Sequence, residues 1–231
     1  MPRPLLLLSL VLLPLLGRAQ TLHQWGYWNR LYLRTLLAPR LALYSEFDER
    51  RFAFPDGQWQ LITHQHLHYR FSPTWDGAVG GTLSWQPQNG VWVPERRIFE
   101  EATATLPLPG TALRLLPRLR VEQRWLGQLA GAEVSREWRY RIRYRPRVQL
   151  DYHLGTRWKL RVFDELMLNA DSFDQNRIFA GAERRFDKGW AVELGYLTIY
   201  QQRAGNAGYT DRDVLRFTLF KDLSLLRRPD L

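Results

Sequence analysis

Between Glu137 and Tyr152 the chain reads EWRYRIRYRPRVQLDY, and alternate residues fall into two sets. Glu137, Arg139, Arg141, Arg143, Arg145, Arg147, Gln149 and Asp151 make up one. Trp138, Tyr140, Ile142, Tyr144, Pro146, Val148, Leu150 and Tyr152 make up the other. A strand turns successive side chains to opposite sides, so the segment reads as a strand with one charged and one apolar, aromatic face. Wound as a helix, it would scatter its arginines around the whole circumference. Soluble strands usually run about five or six residues, whereas a tilted strand crossing a bilayer needs about 9–11. The sixteen residues here suit a membrane strand with an extension beyond the bilayer.

The start of the chain points to export. Arg3 precedes the apolar run Leu5 to Leu16, and Gly17-Arg18-Ala19 offers a small-residue cleavage site. Residues 1–19 are therefore expected to be a cleaved secretory signal peptide, the run being too short to span a bilayer as a helix. That leaves 20–231 as one domain. The absence of cysteine removes disulfides, thiolate chemistry and Cys-ligated zinc. A net charge of +10 often signals nucleic acid. In an exported chain whose arginines alternate with aromatics, it is read instead as an enclosed or lipopolysaccharide-facing basic surface, with no nucleic-acid partner. No later stretch is long and apolar enough for a transmembrane helix, so any crossing must be made by a closed barrel.

Alternation continues along the chain. Strands are expected at Trp25 to Arg34, Arg40 to Arg50, Trp59 to Phe71, Trp75 to Trp85, Glu95 to Leu106, Ala112 to Trp125 and Glu137 to Tyr152. Four more follow at Trp158 to Phe163, Asn176 to Phe186, Trp190 to Gln202 and Val214 to Leu223. Trp59 is placed on the apolar face with Leu61, opposite His64, His66 and His68. Short connections alternate with longer ones, and most of the ten tryptophans sit near strand ends, both as in outer-membrane barrels. The expected fold is all-β, a closed antiparallel transmembrane barrel of ten to twelve strands. The count of eleven conflicts with the even number usual in bacterial barrels. It points to a strand missed or merged near the N-terminus or around Glu95 to Leu106.

Several segments also stand in a familiar order: Asp164-Glu165, Asn169, Phe173-Asp174-Gln175-Asn176-Arg177, Gly181 and Glu193-Leu194-Gly195-Tyr196. With the arginine-rich strand and Trp25 ahead of an alternating hairpin, they resemble the bacterial domain-of-unknown-function 2490 (DUF2490) family of outer-membrane β-barrel proteins. The resemblance implies a monomeric barrel in a Gram-negative outer membrane and no known activity. Expected partners are outer-membrane lipid, lipopolysaccharide and the barrel-assembly machinery. One departure is the ending, where Phe220 is followed by Lys221 to Leu231 instead of closing the last strand.

Side chains two apart on a strand stand about 7 Å from each other, so the arginine row repels itself unless matched. Guanidinium groups tolerate water or acids but not lipid. Arg120, Arg124, Arg139, Arg141, Arg143, Arg145, Arg147 and Arg177 are therefore expected to line a basic lumen, with Asp164, Glu165 and Glu193 among the matching acids. Such a lumen is either a structural, salt-bridged filling or a narrow anion-preferring pore. The outer two of His64, His66 and His68 would lie about 13 Å apart on a strand, too far for one ion, and no metal or cofactor is expected. Asp164 and Glu165 point to opposite sides and make no acid pair. No nucleophile motif surrounds Ser72, Ser84, Ser135 or Ser172, so the chain is not expected to be an enzyme. Two alternatives stay open: a barrel-borne, lipid-modifying hydrolase drawing Ser and His from distant strands, and a soluble periplasmic β-barrel binding protein.

Overall fold

Alternating faces carried through eleven long strands let the sheet curl until its first and last strands meet. The computed structural model describes residues 21–203 and 207–226; residues 1–19, expected to be a signal peptide, lie outside the described residues. In chain order the strands are β1 (Thr21–Ala38), β2 (Leu41–Ala53), β3 (Asp56–Arg70), β4 (Trp75–Gln88), β5 (Val91–Ala104) and β6 (Leu106–Pro107). There follow β7 (Leu113–Ala130), β8 (Glu133–Leu154), β9 (Trp158–Asn169), β10 (Phe173–Arg185), β11 (Trp190–Gln202) and β12 (Tyr209–Ser224). The two-residue β6 pairs only with β7 and stands outside the wall, where β5 pairs with β7 directly. No helix among the described residues is long and apolar enough to cross a membrane.

Every long strand is antiparallel to its neighbours except at the seam. There β1 and β12 pair in parallel from Thr21↔Tyr209 to Leu36↔Ser224. The parallel seam follows from the count: in an up-and-down path of eleven strands the last runs in the same direction as the first. The expectation of a purely antiparallel barrel is therefore corrected to a closed mixed barrel, and no strand was missed or merged. What closure requires is that no edge be left with unpaired N–H and C=O groups. A parallel seam does that as completely as an antiparallel one.

The turns are tighter than expected. Residues 51–58 and 126–136, which fall between the expected strands, are mostly strand, because β2 and β3 meet across Ala53↔Asp56 and β7 and β8 across Ala130↔Glu133. The expected contrast of short and long connections disappears with them. Polar residues that looked like loops are strand ends standing beyond the wall. Trp75, Trp158 and Trp190 open their strands and are exposed, as a rim aromatic would be. Trp28 and Trp59 are instead buried inside. Trp59 changes face at a β-bulge: Arg50 pairs with Gln60 and Arg51 with Gln58, leaving Trp59 as the extra residue.

Burial is inverted relative to a water-soluble core. Val148 is 57% exposed and Leu215 55%, while Glu122 and Glu193 are 1% exposed. Inside, Trp28, Trp59, Phe163, Phe179, Leu197, Ile199 and Val214 form one apolar cluster against β1, β3 and β9 to β12. Phe179 packs over Gly181 and Gly195, where any Cβ would collide with its ring.

The chain has no native cysteine, which makes the seam direction testable. Cysteine pairs placed at His23 and Asp211, or at Thr35 and Leu223, are in register and are expected to form disulfides in the folded protein. A pair at His23 and Leu223 is expected to stay reduced; cross-linking there instead would mean an antiparallel seam.

Candidate functional site

The inward positions of β1, β2, β5 and β7 to β12 bring buried acids and guanidinium groups together. Glu122 is a hub. Arg143 donates to its Oε2 from Nε at 2.8 Å and from Nη2 at 2.5 Å, and Arg145 donates to Oε1. Arg145 also reaches Glu165 at 2.7 Å, where Arg118 is a second donor. Arg118 and Arg120 meet Glu101 at 3.3 and 2.7 Å. Arg143 and Arg124 share Asp174 at 2.8 and 3.6 Å, and Arg124 continues to Glu95 at 2.6 Å. The result is a continuous chain of ion pairs from Glu95 to Glu101. A second group joins Asp151, Glu183 and Glu193 to Lys159, Arg161 and Arg216. A third joins Arg30 and Arg50 to Asp48, with Glu46 3.3 Å from Arg30.

Of the residues expected in the interior, Arg120, Arg124, Arg143, Arg145, Glu165, Arg177 and Glu193 are buried there. Arg147 is half-buried and makes neither an ion pair nor a hydrogen bond among the described residues; its guanidinium lies 5.3 Å from the Phe163 ring. Arg139 is exposed and Arg141 half-buried. Both precede Arg143, the first β8 residue to pair with β9, so they stand beyond that side of the wall. Asp164 faces outward and accepts a hydrogen bond from Asn176; alternation from Glu165 forbids it the interior. Glu95, Glu101 and Asp174 carry much of the lattice and were not among the acids expected in the interior. Glu95 and Glu101 sit in a strand of ambiguous alternation. Asp174 is the extra residue of a bulge, since Phe173 pairs with Leu168 and Gln175 with Met167.

Two chambers remain between these side chains, of about 170 and 310 Å³. Arg30, Glu46, Arg118, Arg120 and Arg147 line both, so the chambers adjoin at this ring. The first reaches Gln86 and Gln201, toward the end holding the β4–β5 and β11–β12 turns; the second reaches Ser72 to Trp75, at the opposite end. Twelve arginines and four carboxylates line the first, which makes it strongly electropositive.

The histidine row borders the second chamber. His66 Nε2 lies 2.8 Å from Glu46, His66 Nδ1 2.7 Å from His68 Nε2, and His68 Nδ1 2.5 Å from Asp76. These three contacts form one polar row from Glu46 through both rings to Asp76. His64 instead contacts Thr82 at 2.7 Å. The serines serve local structure: Ser72 accepts the N–H groups of Thr74 and Trp75, Ser135 that of Glu137, and Ser84 lies 3.5 Å from Glu95.

Residues 25–210 match a family model described as "Protein of unknown function (DUF2490)". No curated protein matches the chain.

Removing one member of a buried ion lattice strands the charges it matched, typically at about 3–5 kcal/mol. Glu122→Gln is expected to lower unfolding stability by about that much in a urea titration. Glu137→Gln, at an exposed position, is expected to change it by less than about 0.5 kcal/mol.

Proposed function

The chain belongs to the DUF2490 family, and from that footing we propose that it is an outer-membrane β-barrel whose arginine-rich interior is a narrow, anion-preferring passage. The inverted burial carries the membrane half of the reading. Trp25, Phe47, Leu61, Val79, Ile98, Leu119, Val148, Val162, Ile178, Leu194 and Leu215 are exposed, one on each long strand. An apolar belt complete around the circumference disfavours water by about 25 cal/mol for each Å² left in contact with it. A bilayer removes that cost, and the closed wall leaves no unpaired edge for lipid to meet. The soluble periplasmic alternative would leave this belt in water and is the weaker reading. Export through a cleaved leader accords with it, as do lipid and lipopolysaccharide as surroundings and assembly by the barrel-insertion machinery as a monomer.

The excess of guanidinium over carboxylate supports the anion preference. A cation entering the first chamber meets arginines on most sides, whereas an anion replaces part of its hydration with N–H donors. Arg147, at the junction of the chambers and without an ion pair or hydrogen bond among the described residues, is assigned the role of drawing anions through. Because side chains fill most of the interior, only small anions are expected to pass. The reading is of a conduit rather than a catalyst, and Ser72, Ser84 and Ser135 are engaged with turns and neighbouring polar groups.

Reconstituted in a planar bilayer under a potassium chloride gradient, the protein is expected to give small, discrete currents with an anion-selective reversal potential. Arg147→Glu is expected to lower the conductance and move the reversal potential toward cations. A folded barrel that carries no current would mean that the ion lattice is a filling only.

A further inference from the structure

We infer that the first chamber contains a binding site for a single tetrahedral oxyanion, of the inorganic phosphate or sulfate class, built around Trp28. The inference rests on the reading of the interior as anion-accepting, and it concerns equilibrium binding, not passage. Trp28 is 2% exposed, and four guanidinium carbons surround its ring: Arg50 at 3.6 Å, Arg30 at 4.8 Å, Arg177 at 5.7 Å and Arg216 at 5.8 Å from the centroid. All five side chains line the chamber.

Their hydrogen bonding is lopsided. The buried Nε1–H of Trp28 and the Nε–H groups of Arg50 and Arg216 have no acceptor among the described residues. Indole and guanidinium groups can only donate, so these side chains cannot satisfy one another. The acids nearest them are already engaged: Asp48 between Arg30 and Arg50, Glu193 between Arg161 and Arg216, and Glu165 among Arg118, Arg145 and Arg177. What the site lacks is a set of acceptors carrying negative charge. A tetrahedral oxyanion brings four such oxygens, and charge-assisted bonds from guanidinium groups are the strong kind. Water accepts fewer bonds and leaves the charge unmatched. The chamber, of about 170 Å³, has room for one such ion together with water.

The test is isothermal titration of the folded barrel in detergent micelles with inorganic phosphate, sulfate and glucose 6-phosphate, in chloride buffer. Phosphate and sulfate are expected to bind with one-to-one stoichiometry, and the ester, which offers three free oxygens where the inorganic ion offers four, more weakly. Arg50→Met should weaken binding about tenfold and Trp28→Phe, which keeps an aromatic ring but removes the donor, about fivefold. Arg139→Gln, outside the chamber, should leave it unchanged. If Arg50→Met does not fold, Trp28→Phe decides alone. The inference is overturned if heat-modifiable, folded protein shows no binding at about 10 mM phosphate, or if neither inner variant changes the affinity. Ester binding as tight as that of phosphate would also overturn it, since the fourth oxygen would then count for nothing. Phosphate binding without bilayer currents would contradict the passage and leave the site standing; currents without phosphate binding would do the reverse.

Discussion

A guanidinium group taken out of water must find a carboxylate or an aromatic face, and the interior of this barrel is arranged around that requirement. Glu122, Glu165, Asp174, Glu95 and Glu101 each meet two arginines or more. Where acids run out, rings take over: Arg216 lies 3.7 Å from the Phe179 centroid and Arg120 4.0 Å from that of Phe99. Ion pairs of this kind seldom stabilise a fold more than apolar residues of similar volume. Their consequence is directional. Once five arginines of β8 share a parity, turning that parity outward would set them against the phase that receives Tyr144 and Val148.

The sidedness of β8 propagates through register. Each strand is paired to the next along most of its length, so the inward parity of one fixes the inward parity of its neighbour until the sheet meets itself at β1 and β12. Bulges are the places where parity resets. Those at Trp59 and Asp174 each turn one extra residue inward. One supplies an aromatic wall near Arg50 and Arg212, the other a carboxylate shared by Arg124 and Arg143.

Most of this wall was legible in the chain itself. Ten of the eleven long strands could be read from alternation, β5 being placed on an ambiguous pattern, and the arginine row of β8 separated inward from outward residues from Arg143 to Asp151. Three things were not legible, each for a physical reason. A parallel seam leaves no local mark, since its partners Thr21 and Tyr209 are 188 residues apart. A bulge breaks the parity on which the reading depends, which hid Asp174 and misplaced Trp59. Hairpins extending past the wall look like loops because both their faces are wet; this is why Arg139 and Arg141, although in the right parity, do not join the lattice. The separation of the chambers was beyond reach for a further reason, since it depends on side chains from β1, β2, β7 and β8 converging at one level.

The sidedness of the wall is most directly tested by labelling it. Nitroxides attached singly at Val79, Val148, Val162 and Leu215, all exposed apolar positions on different strands, would be compared in lipid vesicles with one at Thr111 in the exposed β6–β7 connection. Relaxation by oxygen and by a water-soluble nickel chelate separates lipid from water. The four wall labels are predicted to be oxygen-accessible and shielded from nickel, and the Thr111 label open to nickel. Nickel access at all four wall positions, matching Thr111, would contradict a lipid-facing exterior and return the barrel to water.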